Sequence, residues 1–516
     1  MTWLTRCSLG LVLLAVFSLV ALVVPSLLDP TAASPEKRLR DRLWINSSPY
    51  FVDRQLCRWL GLCGLQHLRK DAAALDESAI VDEVWGELRR RALEDQGPGA
   101  SKQQQQRRRR QKQRRVLKDV PDYVVKHAPL VHLYSGEEFW PSDIREHLEH
   151  MDVEIDNVVV NATDPWSLDN LAQLNRRPGS LSLHSRDDVE SRPAWLHSRQ
   201  NTPNDFPDDA GGAHHAPKLG SADDATAGGE PTTWFDVDKQ HPLRRIVPPR
   251  SSKKAKGPAP GEPRVFGRGH KPDAAGYSRA PAVLILVDKG SGIVDAFWFY
   301  FYSYNLGQTV FGIRFGNHVG DWEHCMVRFE HGVPRGIYFS EHEGGQAYAW
   351  EAVEKRGERP VIYSAVGSHA MYALPGDHAY ILPFGLLKDV TDKGPLWDPA
   401  LNNYAYHYDA TRGDDHVEKD DEDDDDDDDK QHGPSHSLTP AAKNPNAPTS
   451  WFHYRGHWGD ELYYLADPRQ WRLFGQYHYV TGPTGPKFKE LTRSKLCRGT
   501  RCRILHRLDP NGKWYS

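Results

Sequence analysis

The segment Gly316–His324, which reads GNHVGDWEH, decides how both the fold and the candidate site are interpreted. The residues after it are mostly apolar, as expected for a core strand. If Trp322–Phe329 is one strand, Asp321 and Glu323 project from the same face, because side chains alternate along a strand. His318 precedes this strand, in a turn that can fold its imidazole back toward the carboxylates. One imidazole and two carboxylates suit a hard divalent cation; the alternative is a polar strand start with solvated or paired charges.

The ordered parts of the chain predict an all-β fold. The chain of 516 residues has 16 Trp and 21 Tyr, and many fall in short runs bounded by Gly and Pro. Two predicted strands, Ala280–Val287 and Ile293–Tyr304, are separated by residues typical of a hairpin turn. A short helix is expected after Ser142, which is a good N-cap. We therefore predict an aromatic-rich β-sandwich with a few short helices, whose further strands are Arg335–Glu341, Gln346–Trp350 and Pro360–Ala365.

Composition divides the chain into segments. Two stretches, at about 176–271 and 412–449, contain too few apolar residues to form a core and are predicted to be long disordered insertions. The second insertion carries the acidic run Asp420–Asp429, which we interpret as solvated. The predicted segments are a short N-terminal segment with an anchor (1–34), a stalk with a Gln/Arg-rich linker (35–117), the β domain (118–480) and a C-terminal extension (481–516).

The N-terminus predicts a membrane anchor. Ser8–Leu28 is an uncharged apolar run of 21 residues, long enough to cross a bilayer as a transmembrane helix and longer than the core of most cleaved signals. Cleavage after Ala33 is the alternative. Glycosylation sequons at Asn46 and Asn161 favour a lumenal body. Two close cysteine pairs could form disulfides in an oxidising lumen: Cys57 with Cys63, and Cys497 with Cys502. The prediction is a single-pass glycoprotein of the secretory pathway or vacuole.

Charge and motifs exclude several functions. The net charge of −5 gives no basic field for nucleic-acid binding. The sequence contains no nucleophile elbow, P-loop or zincin spacing that would indicate a known reaction. Binding functions are therefore favoured over catalysis.

Several segments, in this order, resemble the vacuolar protein sorting-associated protein 62 family, which is fungal. They cover most of residues 118–480 outside the two insertions. The resemblance implies a part in delivering proteins to the vacuole and does not imply a biochemical activity. The matching segments are Tyr123–Leu133, Pro141–Ile144, Gly316–His324, Ser340–Gly345, Pro360–Tyr372, Trp397–Asp398 and Trp451–Asp460.

A second, more distant resemblance concerns the site. Gly316–Glu323 is similar to the GHRHDWE heptapeptide of the necrosis- and ethylene-inducing peptide-like toxins, which are secreted β-sandwich proteins that bind a divalent cation and sphingolipid head groups. His318, Asp321 and Glu323 match, whereas Asn317 and Val319-Gly320 depart from the motif. The resemblance implies Asn305 as a weak or water-mediated fourth metal ligand. It also implies ligand-binding or supporting roles for Ser340, His342, Ser368 and His369. His324 is a further candidate because it lies in the same short segment as His318, Asp321 and Glu323. Calcium, magnesium or manganese is expected, and zinc is less suited.

Three functions remain open at this point. The first is a membrane-anchored lumenal protein that supports vacuolar sorting and binds a cation, together with a glycan, a lipid head group or the sorting machinery. The second is a metal-dependent hydrolase in which His342 or His369 moves protons. The third is a structural secretory β domain whose polar cluster is a buried hydrogen-bond network. The first and third together outweigh the hydrolase.

Overall fold

The structure, a computed structural model, describes residues 35–71, 118–160, 166–197, 270–342, 344–381, 387–412, 437–498 and 502–508, together with a few positions between 12 and 19. The described residues form five short α-helices within these ranges. They are α1 Pro35–Asn46, α2 Phe51–Leu60, α3 Asp122–Lys126, α4 Ile144–Glu149 and α5 Ser450–His453.

Strands dominate the same ranges. In chain order the first twelve are β1 Leu62–Cys63, β2 Leu130–His132, β3 Met151–Ile155, β4 Val158–Val159, β5 Leu181–Ser185, β6 Ala282–Gly290, β7 Ile293–Asn305, β8 Gln308–Val310, β9 Ile313–Phe315, β10 His318–Glu330, β11 Val333–Glu341 and β12 Gly344–Ala349. The others are β13 Lys355–Arg356, β14 Arg359–Ser364, β15 Met371–Tyr372, β16 Gly376–Ile381, β17 Leu387–Thr391, β18 Leu396–Trp397, β19 Asn403–Tyr408, β20 Leu438–Pro440, β21 Arg472–Leu473, β22 Gln476–Tyr477 and β23 Ile504–Leu505.

An eight-stranded sheet forms the centre of the molecule, in the order β20-β19-β6-β7-β10-β11-β12-β23. Its middle is the antiparallel pair β7 and β10, each 13 residues long. β19 pairs with β6 in parallel, and β23 pairs with β12 in parallel. The smaller sheets are β13-β14-β2-β18 with β15 beside β14, β4-β3-β5, β1-β21-β22, β16-β17 and β8-β9.

Both faces of the central sheet are buried, which explains why β7 is apolar on both sides. One face packs against the β13-β14-β2-β18 sheet, where Tyr300 and Trp397 contact edge to face at 5.2 Å. The other face packs against α4, the β4-β3-β5 sheet and aromatic residues of the C-terminal part. There the Trp322 ring lies 5.9 Å from Trp451 and 5.6 Å from Trp458. The predicted β-rich fold with few helices is confirmed.

The strands lie close to their predicted positions, with two differences that affect the site. β10 begins at His318 rather than Trp322, so His318 is the first residue of the strand and not part of a preceding turn. The strand continues through Gly320 because this residue adopts a left-handed backbone, with φ +68°, that only glycine adopts readily. The helix expected after Ser142 is capped instead by Asp143, whose carboxylate accepts a hydrogen bond from the amide of Arg145.

Residues 35–71, predicted as the start of a stalk, pack against residues 462–477 and form an N-terminal lobe. Its strand β1 pairs with β21. The Trp44 indole donates a hydrogen bond to the Tyr463 carbonyl at 2.8 Å, and Trp44 packs with Cys57, Cys63 and Leu465. The rest of the predicted stalk and the Gln/Arg-rich linker lie outside the described residues.

The predicted boundaries of the insertions and the C-terminal extension shift as well. Residues 176–197 include β5, and residues 437–449 include β20, so both segments belong to the folded body. The remainder of both predicted insertions lies outside the described residues. Beyond residue 480, Leu491 and Leu496 join the core and β23 extends the central sheet. The chain therefore continues to contribute to the fold well past the predicted end of the β domain.

Two disulfides are present, Cys57–Cys63 and Cys497–Cys502, while Cys325 is a buried free thiol. Among the described residues, no helix is long and apolar enough to span a membrane. The predicted anchor Ser8–Leu28 lies almost entirely outside those residues, so it stays a prediction.

Candidate functional site

Gly320 sets the direction of the site residues. A Cβ at this position would lie 2.2 Å from the carbonyl oxygen of Trp458, so no larger residue fits without displacing the backbone. Past this point the strand alternates regularly, and Trp322 packs on the core face that holds Trp458. Asp321 and Glu323 therefore project together from the opposite face, beside Tyr302 and Tyr300 of β7. The two carboxylates therefore lie on one face of the strand, as the sequence predicts.

Asp321 is held by a buried histidine. Nδ1 of His369 lies 2.9 Å from Asp321 Oδ2, and its Nε2 lies 3.1 Å from the carbonyl oxygen of Phe139. The imidazole stacks flat on Tyr302 at 3.7 Å. Both partners of the ring accept hydrogen bonds only, so both ring nitrogens must carry protons. His369 is therefore an imidazolium that pairs with Asp321.

Glu137 completes this charge group. Its Oε1 lies 3.9 Å from His369 Nε2, and its Oε2 accepts a hydrogen bond from the Gly367 amide at 2.9 Å. Burial by itself lowers the pKa of His369, but the hydrogen bonds and charges of Asp321 and Glu137 outweigh burial and raise this pKa to about 9. His369 is thus a structural counter-ion of Asp321, and Glu137 is a partner that the sequence did not indicate.

Glu323 is the second buried carboxylate. Its Oε2 accepts a hydrogen bond from the Ser340 hydroxyl, which in turn accepts one from the backbone amide of His324 at 2.8 Å. Burial, reinforced by the negative charge of Asp321, raises the pKa of Glu323 to about 8. The two carboxylates are therefore close enough to oppose each other's ionisation.

His318 and Asn305 stand opposite each other at the start of the β7–β10 pair. The Nδ1 of His318 lies 2.7 Å from the Gly320 carbonyl oxygen, so Nδ1 carries the proton and Nε2 keeps a lone pair. Burial lowers the pKa of His318, with the Asp321 charge acting in the other direction. The Asn305 amide nitrogen donates to the Gly316 carbonyl at 2.8 Å, which leaves its amide oxygen as an acceptor.

The side chain of His324 lies outside the site, although its backbone amide bonds to Ser340 within it. It lies on the other face of the sheet, fully buried, with its ring stacked 5.0 Å from Phe299. Neither ring nitrogen has a hydrogen-bond partner among the described residues. Burial and then the positive charge of Arg493 lower its pKa far below the usual value, so it is neutral. The His324 side chain therefore cannot be a ligand at the site, because the strand period directs it away from Asp321 and Glu323, and only its backbone amide supports the site, through Ser340.

A second polar cluster centres on Asp389 of β17. The carboxylate accepts hydrogen bonds from Ser368 at 2.6 Å and Tyr372 at 2.7 Å, and it pairs with His342 Nε2 at 2.7 Å. Although burial alone would lower the pKa of His342, the charge of Asp389 raises it to about 9. His342 and Ser368 were both predicted near the site, whereas Asp389 and Tyr372 were not. Ser368 bonds to the carboxylate rather than to the histidine, so these groups do not form a nucleophile–base pair.

The fit to a metal ion is partial. In the part of the chain that the structure describes, no three His, Cys, Asp or Glu side chains are gathered as a ready metal site. Asp321 and Glu323 each have one engaged oxygen, and no described residue bonds to Asp321 Oδ1 or Glu323 Oε1. His318 Nε2 and the Asn305 amide oxygen have the lone pairs that a cation needs. The donor chemistry therefore suits a hard cation, with water or ligand oxygens completing its coordination.

Of the two predicted glycosylation sites, Asn46 lies exposed at the end of α1, where its amide oxygen accepts a hydrogen bond from Arg58. Asn161 lies outside the described residues.

Comparison with known proteins identifies the family. The family model for vacuolar protein sorting-associated protein 62 matches residues 300–390, the segment that carries the candidate site. TDA6 of Saccharomyces cerevisiae, which is named provisionally as a vacuolar protein sorting-associated protein, is 34% identical over 416 residues, covering 74% of this chain and 69% of TDA6. Vacuolar protein sorting-associated protein 62 of the same yeast is 33% identical over 403 residues, covering 74% of this chain and 68% of the relative. The chain belongs to the vacuolar protein sorting-associated protein 62 family.

Solved structures give a much weaker likeness. A necrosis- and ethylene-inducing protein 2 from the causal agent of cocoa's witches' broom disease is 18% identical, covering 22% of this chain and 51% of that one, with a TM-score of 0.15. NLPPya in complex with mannosamine is 17% identical over 20% of this chain and 51% of that one, also with a TM-score of 0.15. Scores this low do not establish a shared fold.

Proposed function

We propose that this protein supports the delivery of proteins to the vacuole from the lumenal side of a membrane. We also propose that its site binds a divalent cation through Asp321, Glu323 and His318, with Asn305 as a weaker donor. The cation would help to hold a glycan or a lipid head group. The sorting function is supported by the names of two relatives that align with most of this chain.

One observation carries the cation site: two buried carboxylates lie on one face of one strand, each with an oxygen that no described residue engages. Asp321 and Glu323 are each only 5% exposed. Like charges held together out of water are unfavourable, and a bound cation would remove this repulsion. The His369 ring is fully used by Asp321 and Phe139, with Glu137 beside it, and it makes no hydrogen bond to Glu323. The charges of Lys489 and His342 act on Glu323, but they do not outweigh its burial and the charge of Asp321. A bound cation would supply a direct partner.

A structural polar network is the competing function, and it also has a specific observation in its favour. Each carboxylate already has one good hydrogen-bond partner, as a network requires. The two functions differ in what the variant Asp321→Asn should do. The variant loses stability under either function, because it removes the charge that pairs with His369. Only a cation site also loses a bound cation, which elemental analysis measures.

The sorting proposal is tested in yeast cells that lack both relatives. We expect the full chain to restore retention of a vacuolar hydrolase that would otherwise be secreted, and Asp321→Asn to fail although it is made at the same level. His132→Gln is the matched control, because His132 is also a buried polar residue, and its Nδ1 lies 2.8 Å from the Gly394 carbonyl oxygen rather than at the site. Failure of the unmodified chain to restore retention would contradict the sorting function.

A further inference from the structure

The N-terminal lobe presents an unusual amount of apolar surface. Leu39 and Leu43 of α1 are 59% and 60% exposed, and Phe51, Val52 and Trp59 of α2 are 66%, 65% and 76% exposed. We call these five side chains the apolar outer face. Elsewhere in the described chain from residue 35 onward, large exposed apolar side chains occur singly or as one adjacent pair. Such scattered residues are normal, whereas a contiguous group indicates an interaction surface.

Helical spacing places these residues away from the protein core. In α1 the core side chains are Trp44 and Ile45, and Leu39 and Leu43 lie one turn apart on the other side. In α2 the buried residues are Asp53 and Cys57, while the exposed apolar side chains occupy the opposite side. Both helices pack on the same lobe, so both point their apolar sides outward.

Charge and aromatic content indicate what covers this face. Four basic residues lie along α1, and Arg58 lies beside Trp59 on α2. Basic residues with an exposed tryptophan are typical of helices that lie in the head-group region of a bilayer, where the indole occupies the interface and the cations contact anionic lipids. The basic residues of α1 are Lys37, Arg38, Arg40 and Arg42.

The position along the chain agrees with a membrane surface. Only six residues, 29–34, separate the predicted anchor from Pro35, the first residue of α1. Even fully extended, they span only about 20 Å. An anchor in the bilayer would thus hold α1 and α2 next to the lipid surface.

We propose that the apolar outer face of α1 and α2 lies on the lumenal surface of the membrane, with a preference for anionic phospholipid. The predicted anchor would attach the chain to the membrane, and the apolar outer face would in addition fix the orientation of the N-terminal lobe on the membrane surface. The lobe is joined to the start of β10, because Gly316 and Asn317 donate hydrogen bonds to the Tyr477 and His478 carbonyls, both at 2.9 Å. The lobe and the start of β10 therefore stay together when the face docks, which favours a lipid head group over a soluble glycan as the ligand.

The test uses the full chain in vesicles of phosphatidylcholine, with and without phosphatidylserine, containing a photoactivatable phospholipid. Mass spectrometry then maps the cross-links. We expect cross-links at Phe51–Leu60 that increase severalfold with phosphatidylserine. Val333 is the internal control, since it is 49% exposed but begins β11, where it pairs with Glu330, about 40 Å along β10 from His318. Labelling at α2 that does not exceed labelling at Val333 would overturn the proposal.

Labelling of Ser8–Leu28 is scored separately and reports on the anchor. If the anchor is labelled and α2 is not, the docked face is overturned and the anchor prediction stands. If α2 alone is labelled, docking is supported without the anchor.

The double variant Phe51→Ser, Trp59→Gln changes only exposed side chains, so it should keep the melting temperature and lose most of the α2 cross-links.

Glycosylation gives an independent test. Asn46 lies exposed at the end of α1, beside Arg58 of α2. A glycan there would hold the face away from the bilayer, so we expect Asn46 to be unmodified in the protein from cells. Substantial occupancy of Asn46 would contradict docking, whatever the state of Asn161.

Discussion

At the scale of single residues, His369 shows how the site is held together. Its two ring nitrogens contact a carboxylate and a carbonyl, which makes it a buried cation. The sequence indicated His318, Asp321 and Glu323 because their spacing is local. It could not indicate Glu137, which reaches the site through tertiary contacts from a segment far away in the chain.

We expect His369→Gln to lower the free energy of unfolding by about 3 kcal/mol at pH 6, because it leaves Asp321 and Glu137 buried without their cation. The pKa of His369 is raised to about 9 in the folded protein. Its stabilisation is therefore fully present below the unfolded value of about 6.5 and is lost as the pH rises through about 9. Chemical denaturation between pH 6 and pH 9.5, with chelator present, should show a larger loss in the unmodified protein than in the variant, in which His342 and Glu323 still titrate in this range.

His147→Gln is the control for this pH profile. Burial lowers the pKa of His147 to about 4, so it is neutral throughout the measured range. The control should lose stability by a similar amount at every pH. If His369→Gln behaves like His147→Gln, His369 is not a buried cation.

At the scale of elements, β10 shows where sequence patterns succeed and fail. The alternation of residues 321–329 predicted a strand with a shared carboxylate face, and the structure has it. The start of the strand was misplaced because Gly316 and Gly320 were interpreted as turn residues. Gly320 instead keeps the strand continuous where the Trp458 carbonyl comes close, a contact that only the folded chain reveals.

We expect Gly320→Ala to destabilise the protein severely and to displace Asp321, because a Cβ would lie 2.2 Å from the Trp458 carbonyl oxygen. Gly312→Ala is the matched control, since Gly312 has a similar φ of +78° but nothing within 4 Å of the added Cβ. The control should cost only the left-handed backbone penalty of about 1 kcal/mol. Equal melting temperatures for the two variants would show that the close approach does not exist.

At the scale of the whole molecule, the ends of the acidic insertion meet. The Asp409 amide donates to the Ser437 carbonyl at 2.8 Å, and β19 and β20 pair from these residues outward. The two ends are thus already joined by the sheet, whatever length of chain connects them. Composition could identify this insertion, but it set the boundaries too wide because β20 is short and polar residues surround it.

Removing Glu422–Asp429 should therefore change the melting temperature by less than about 2 °C, since loop-closure entropy varies slowly with length. Calorimetry on the deleted and full chains measures this. A loss of many degrees would mean that the acidic run stabilises the fold.

Topology also belongs to this scale. A lumenal body predicts that endoglycosidase treatment increases gel mobility and that Asn161→Gln removes this change, because glycan transfer occurs only on the lumenal side. Unchanged mobility in both cases would favour a body on the other side of the membrane.

The most direct test of the central claim is the metal content of the purified full chain, measured by elemental analysis and followed by calorimetric titration of the chelated protein with calcium, magnesium and manganese. We predict one divalent cation per chain, and in Asp321→Asn we predict loss of that cation, together with the loss of stability that follows from breaking the buried pair of Asp321 with His369. The same metal content in Asp321→Asn as in the unmodified protein, or no cation bound by either protein in any titration, would contradict the cation site.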